Sequence, residues 1–408
     1  MKSRKSLFRW SIIVGLVVFG LLTTSGAVLA EKPVYHVGHI TMLTGVYGPT
    51  MSGNNEGFMD AIDYVNEKWN LPVTIKGVWV DGASSPAKSL SAGKKMVSQY
   101  NPVILINDTT PTGLAMKKFY MKTKIPSLEG GGAGPMWALP SWSFSLMTPY
   151  QNQVGAWVDY YLKHLWPQKG LNRAPNFAWV TWDNAAGRAS YTDKVKAYIR
   201  SKGVNIVHGD GEFIPGVPTE VGAQMMRLKK NKVDFTYGLL LGSTAVAVLK
   251  GAGKYGVIDQ IDFHIITPSP DLVAKKGGDL ARNVYAGLYT WTWEMMAEKA
   301  PDMVAMYKKK NRKVSTVMYP PGFSWGLTAA KAIQMAAEDV GPDKITGEAC
   351  YNALKKMKNF DRGGVGCYYT FGEKKRYGCD TIILQRLNNS RINIVGEFPT
   401  PNLTGIEW

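Results

Sequence analysis

Cysteine is scarce in this chain: three residues in 408, none before Cys350. That excludes a disulfide-dense scaffold, and the spacing of Cys350, Cys367 and Cys379 is not a zinc pattern. Histidine is nearly as rare. His36 and His39 stand three apart on a strand-like run and so point to opposite faces. His164, His208 and His264 have no partner at ligand spacing. No metal site is expected. The nucleophile elbow G-x-S-x-G, the zinc motif H-E-x-x-H and the P-loop are all missing, so no common hydrolase, metalloprotease or nucleotide-hydrolysing machinery is expected. Beyond Ala30 no stretch approaches about 18 uninterrupted apolar residues, the minimum for a membrane-spanning helix.

Acidic residues are also in short supply, 31 against 48 basic ones. Part of that excess lies in the first segment. Lys2, Arg4, Lys5 and Arg9 precede an apolar run from Ile12 to Leu22, and Val28-Leu29-Ala30 offers a small-x-small cleavage site. This order predicts a secretory signal peptide over 1–30, cut after Ala30, and a periplasmic mature protein. Removing its four basic residues leaves 44 against 31, a net charge of +13. The remaining Lys and Arg are scattered through helix-like segments rather than gathered in one arm. The chain therefore reads as having solvated basic faces, and no nucleic-acid partner is expected.

The body alternates short apolar runs with helical periodicity, the pattern of parallel sheets covered by helices. Strands are predicted at Tyr35–Leu43, Val73–Val80, Pro102–Ile106 and from Ile125. The series restarts with strands at Phe177–Trp182, Val204–His208, Phe235–Leu241 and Phe263–Thr267. The expected fold class is α/β, with two doubly wound Rossmann-like lobes. Helices at Pro301–Lys310, Gly322–Val340 and Gly347–Lys358 follow, then strands at Thr381–Leu387 and Ile392–Phe398. Without a low-complexity linker, the lobes are expected to exchange strands by several crossovers. Cys367 and Cys379 flank the turn-like Gly372-Glu373-Lys374-Lys375, which points to a bridge between them, although three cysteines allow three pairings.

Two glycine clusters invite a nucleotide-binding reading. Gly251-Ala252-Gly253-Lys254-Tyr255-Gly256 fits G-x-G-x-x-G, but it closes a helix instead of opening one. Gly130 to Gly134 follows a strand, but Pro135 stands where the last glycine belongs. An exported nicotinamide-dependent enzyme is thus disfavoured, and no cofactor is expected. In open α/β sheets the ligand lies beyond the carboxyl ends of the strands. Those ends here carry Thr44 to Gly48, Asn107 to Thr112, Glu129 to Gly134, Asp183 to Ala186, Gly242 to Thr244 and Pro268 to Asp271. They offer hydroxyls, free amides and helix starts, suited to an anion, and no base–nucleophile pair. Helix capping by Thr110, Thr112 and Ser243 is an equally physical reading of the same residues.

Several segments lie in the order seen in the leucine/isoleucine/valine-binding family of periplasmic proteins. They are Val37-Gly38-His39-Ile40 leading to Thr44-Gly45 and Tyr47-Gly48, Val80-Asp81 with Pro86, Val103 to Thr112, Ile125-Pro126 leading to Gly131-Gly132-Ala133, and Val233 to Gly238. The resemblance implies a type I periplasmic-binding fold with three crossovers, lobe 1 at 31–149 plus 291–368 and lobe 2 at 150–290 plus 369–408. It further implies a monomeric solute-capturing subunit of an ABC importer that meets a membrane permease. A sensory module presenting ligand to a receptor is the alternative.

By the same resemblance, Thr109 or Thr110 and the loop Gly131, Gly132, Ala133 would hold a carboxylate, with Tyr47 and Ser243 nearby. The family's second-lobe aromatics fall near Ala186 and near Leu240 or Leu241. Its ammonium-binding acid falls near Ser269, where no acid stands; Asp271 or Asp183 would have to substitute. The expected ligand is therefore a small carboxylate or amide, with Tyr47, Trp182, Trp291 and Trp293 as aromatic surfaces.

Overall fold

Strands that are apolar on both faces require helices on both faces, and the fold answers that requirement twice. The computed structural model describes residues 31–408 except 208, 210, 217, 241, 267–269, 315–316, 389–390 and 407–408. The predicted signal segment lies outside the described residues. In the first lobe, β1 (Val34–Thr41), β2 (Thr74–Asp81), β3 (Ile104–Asn107), β4 (Ser127–Glu129) and β5 (Ser143–Ser145) form a parallel sheet in the order β2-β1-β3-β4-β5. Helices α1 (Gly48–Lys68), α2 (Pro86–Tyr100), α3 (Thr110–Thr123) and the single turn α4 (Gly134–Trp137) connect them.

The second lobe repeats the plan. It contains β6 (Asn176–Trp182), β7 (Asn205–Ile206), β8 (Glu212–Ile214), β9 (Phe235–Leu239), β10 (Asp262–Ile266) and β11 (Val284–Leu288). Its parallel order is β7-β6-β9-β10-β11, with β8 pairing β6 beyond β7. The antiparallel pair β12 (Thr381–Asn388) and β13 (Arg391–Pro399) extends the β11 edge. Helices α5 (Tyr150–Tyr160), α6 (Ala185–Arg188), α7 (Asp193–Ser201), α8 (Gly222–Lys230), α9 (Gly242–Lys254) and α10 (Pro270–Gly277) cover the sheet. In both lobes the strand order reverses beside the first strand, so each sheet places its crevice at the carboxyl ends of its central strands.

The remaining helices are α11 (Trp293–Lys299), α12 (Pro301–Lys309), α13 (Tyr319–Val340) and α14 (Gly347–Lys356). The longest, α13, lies along α1, and the crossing has no room for a side chain at two of its glycines. A Cβ on Gly57 would stand 2.2 Å from the Tyr319 carbonyl oxygen, and one on Gly322 would stand 2.0 Å from that of Asn54. The same seam carries a buried charge. Asp60 accepts from Arg312 Nε at 2.9 Å and Nη2 at 2.6 Å, and from the Tyr319 hydroxyl at 2.7 Å.

The family-like crossovers run near 146–150, 288–292 and 377–381. The last falls later than the sequence suggests. Residues 369–378, assigned there to the second lobe, lie against the first sheet: Phe371 meets Phe144 edge-on at 5.3 Å, and Tyr377 bridges Ser145. The reason is covalent. Cys367 and Cys379 form a disulfide with Cα atoms 5.9 Å apart, holding the loop on one side until Asp380, while Cys350 is free and buried. Strands β5 and β8 and the turns α4 and α6 went unread because three or four residues carry no period. The glycine cluster at 251–256 also differs from expectation. The helix runs through Gly251 and Gly253, which take Val221 and Leu280 at close range, and only Gly256, at φ +68°, lies beyond its end in the left-handed region.

Gly322→Ala is expected to destabilise the protein. Alanine gains about 1 kcal/mol of helix propensity, but overlap with a backbone carbonyl that cannot rotate away costs about 1–3 kcal/mol or more. A lower denaturant midpoint at unchanged slope is the expected reading; a raised midpoint would contradict the close crossing.

Candidate ligand site

The crevices of the two sheets face one cavity, about 770 Å³ of atom-free space including its mouth. Every wall comes from a strand end, a helix start or a crossover. Tyr47 follows β1, and Asp108 to Pro111 follow β3. Trp182 ends β6 and Ala186 lies in α6 just beyond it, while Leu239 and Ile266 close β9 and β10. Met147 and Tyr150 come from the first crossover and Tyr289 and Thr290 from the second. Met318, Pro321 and Trp325 come from the start of α13. Most of this surface is apolar. The Tyr47 ring meets the Trp182 ring edge-on, with centroids 5.7 Å apart.

The polar content is mainly hydroxyl. Thr109 caps α3 from an extended conformation, yet its side chain makes no capping bond. The first-turn amides of α3, of which Pro111 has none, find no acceptor within the helix. Thr110 Oγ1 lies 3.5 Å from the Tyr150 hydroxyl. Burial pushes the phenols of Tyr47, Tyr150 and Tyr289 above the ordinary tyrosine range, so all three stay protonated at neutral pH and can donate.

Among the described residues one carboxylate lines the cavity, and it is already committed. Asp108 Oδ1 lies 2.7 Å from His39 Nε2 and accepts from Asn54 Nδ2 at 3.4 Å. Its Oδ2 accepts from the Thr41 hydroxyl at 2.9 Å and the Met42 amide at 3.1 Å. His39, buried on β1, also contacts Asn55 Oδ1 at 3.2 Å. Asp108 thus ties the ends of β1 and β3 to α1.

Of the residues singled out from sequence, Tyr47, Thr109, Thr110, Trp182 and Ala186 line the cavity. The glycine loop does not. The Tyr150 ring stands over Gly132, where a Cβ would meet it at 2.8 Å, and Gly131 rests on Thr110. Ala133 faces a separate cleft with Gly134, Gln151 and Arg188. Of this loop only Gly130 reaches the cavity. Tyr150 takes the place expected of the loop because its amide bonds Gly132 O at 3.0 Å and its carbonyl receives the Tyr237 hydroxyl at 3.0 Å. Asp183 pairs with Arg188 at 2.7 Å outside the cavity, and Ser243 is exposed on α9. Asp271 lines an adjoining chamber. Leu241 and Ser269 lie outside the described residues. Sequence reasoning missed the crossover residues Met147, Tyr150, Tyr289 and Thr290, and the start of α13. The Tyr319-Pro320-Pro321 helix start was the signal that could have marked the latter.

Beneath Thr109 lies a second buried carboxyl. Asn107 Nδ2 donates to Thr109 O at 2.8 Å and to Glu129 Oε2 at 2.5 Å, and the Ser127 hydroxyl donates to Glu129 Oε1 at 2.5 Å. Full burial outweighs these bonds and raises the Glu129 pKa to about 7. The fold therefore holds this proton more tightly than the unfolded chain does. Its contribution to stability is complete below the unfolded value of 4.5 and is lost as pH rises through about 7. Relative to Glu129→Gln, wild-type stability should fall by roughly 3 kcal/mol between about pH 4.5 and about pH 8. Denaturant midpoints of both proteins at the two pH values check this; a constant gap between them would contradict it.

Comparison with known proteins agrees with this geometry. The family model described as periplasmic binding protein matches residues 34–390. No curated protein matches the chain in sequence. Among solved structures, a branched-chain amino acid ABC transporter protein from Thermus thermophilus with bound valine is 19% identical, with TM-score 0.77 over 92% of this chain and 98% of that one. A fatty acid ABC transporter substrate-binding protein from Thermomonospora curvata is 18% identical, with TM-score 0.74 over 92% and 95%. The branched-chain amino acid binding protein LivJ from Streptococcus pneumoniae in complex with isoleucine is 15% identical, with TM-score 0.68 over 90% and 100%. At such identities these likenesses speak for the fold, and the match over most of the chain speaks for the family. With its two doubly wound lobes facing one cavity, the chain belongs to the periplasmic binding protein family.

Proposed function

We propose that this protein is the extracytoplasmic capture subunit of an ABC importer, and that its ligand is a small, mostly apolar carboxylate or amide without an α-ammonium group. The observation that carries this reading is the state of Asp108. Among the described residues it is the sole carboxylate on the cavity wall, and it is occupied by His39, Thr41, Asn54 and the Met42 amide. An enclosed ammonium would find no free anion, at a cost of several kcal/mol. A carboxylate fares better. The Thr109 hydroxyl, the amides opening α3 and the protonated phenols of Tyr47, Tyr150 and Tyr289 are all donors. Met51, Trp182, Met318 and Trp325 would enclose the apolar body.

On this reading lobe 1 (31–149 with the segment from 291) and lobe 2 close on the three crossovers to enclose the ligand. The leader is removed after Ala30, the protein acts as a monomer in the periplasm, and it hands its ligand to a membrane permease without chemistry of its own. The names of the structural relatives, which include amino acids and a fatty acid as cargo, span the range in which this ligand falls.

A thermal-shift comparison of amino acids with their des-amino counterparts, leucine against 4-methylpentanoate and phenylalanine against 3-phenylpropanoate, tests the ligand class. The acid lacking the amine should stabilise more at equal concentration; at 100 times its dissociation constant it should add about 2.7 kcal/mol over the ligand-free protein. Equal or better stabilisation by the amino acids would overturn the reading. Thr109→Ala should weaken the preferred acid by about tenfold or more, the worth of one hydrogen bond to a charged group.

A further inference from the structure

Beyond Leu288, Thr290 and Val317, which it shares with the main cavity, lies a second chamber of about 410 Å³. Its polarity is opposite. The main cavity presents donors; this one presents acceptors. Asp271 at the start of α10 and Glu294 at the start of α11 line it, and neither has an ion-pair partner among the described residues. Among the described residues no lysine, arginine or histidine lines it, although basic residues outnumber acidic ones 48 to 31 in the sequence. Trp291 and Trp293 supply ring surface, and Lys299 Nζ already stands 5.8 Å from the Trp291 ring centroid.

The independent observation is Gln385. It sits on β12 opposite Ala286 of β11, lines this chamber, and is 1% exposed. Its side-chain carbonyl oxygen has no hydrogen-bond partner among the described residues. A buried, unanswered acceptor costs about 1–3 kcal/mol, and leucine would fill the position without that cost. Retaining an amide there makes physical sense if a donor arrives from outside the protein.

We propose that the two chambers act as one elongated site. The far end of the ligand, a primary ammonium or amide N–H, is received by Gln385 with Asp271 and Glu294, while its carboxylate sits at Thr109. This rests on the carboxylate reading above and names the ligand class within it: an ω-amino or ω-amido carboxylate with an apolar middle. Such a molecule puts its amine where acceptors stand, not beside the saturated Asp108.

The test is calorimetric titration of the full mature chain with 5-aminopentanoate and 6-aminohexanoate against pentanoate and hexanoate. The wild type should prefer the amino-terminated acids by roughly tenfold. Gln385→Leu, which replaces an unpartnered amide by an apolar group of similar volume, should fold normally and lose most of that preference. Asp271→Asn, at an exposed position, should reduce it separately. Equal affinity for both series, or a preference that Gln385→Leu leaves intact, overturns the elongated site while the carboxylate reading stands. Failure of both series to bind overturns the two together.

Discussion

Asp108 takes donors from four other residues, and the character of the cavity depends on that arrangement. A carboxylate in an apolar wall would ordinarily either take up a proton or seek a cation from the ligand. Here His39, Thr41, Asn54 and the Met42 amide satisfy it from behind. The same bonds pin the end of β3 to β1 and α1. The next residue, Thr109, is thereby fixed in an extended conformation at the head of α3, with its hydroxyl released from capping duty. On the proposed reading, an acid at the site thus serves to build an anion-accepting corner. Asn107 and Glu129 complete the arrangement by holding the Thr109 carbonyl from below.

Arg362 is the complementary buried charge. Among the described residues no carboxylate pairs with it; it donates to the carbonyl oxygens of Cys367 and Tyr289, to the Tyr369 hydroxyl and to Ser324 Oγ. Its guanidinium also lies over the Tyr289 and Tyr369 rings, at 5.3 Å and 4.6 Å. These bonds join the disulfide loop, the second crossover and α13. Arg362 therefore fixes the backbone from which Tyr289 reaches the cavity. Cation, disulfide and crossover are parts of one support, and a distributed set of carbonyl acceptors satisfies the guanidinium without placing a second carboxylate near the ligand.

The fold was legible because its physical signature is long-range and redundant. Apolar runs such as Ile104–Asn107 and Phe177–Trp182 alternate with helical periods, and that alternation survives errors at any one boundary. The site was legible only in part. Thr109 and Thr110 could be placed because strand ends and helix starts mark themselves in sequence. The loop from Gly131 to Ala133 misled for a physical reason. Glycine allows close approach but does not say what approaches, and here the Tyr150 ring, delivered by a crossover, takes the space. Residues such as Met147, Tyr289 and Met318 carry no periodic or motif signal, and only the meeting of the two sheets brings them together.

Placing cavity walls on crossovers has a mechanical consequence. Tyr150 and Tyr289 are rooted in the segments that join the lobes, and Tyr369, beside the third, donates its hydroxyl to Leu146 O at 2.5 Å on the first. A hinge motion that separated the lobes would have to move these rings relative to Thr110 and Trp325, so the cavity cannot open without changing its own lining. If the proposed ligand touches Tyr150 or Tyr289, it touches the segments joining the lobes, and affinity and closure become a single equilibrium. The Tyr47–Trp182 contact joins the loop after β1 to the end of β6, and a motion that separated the lobes would break it.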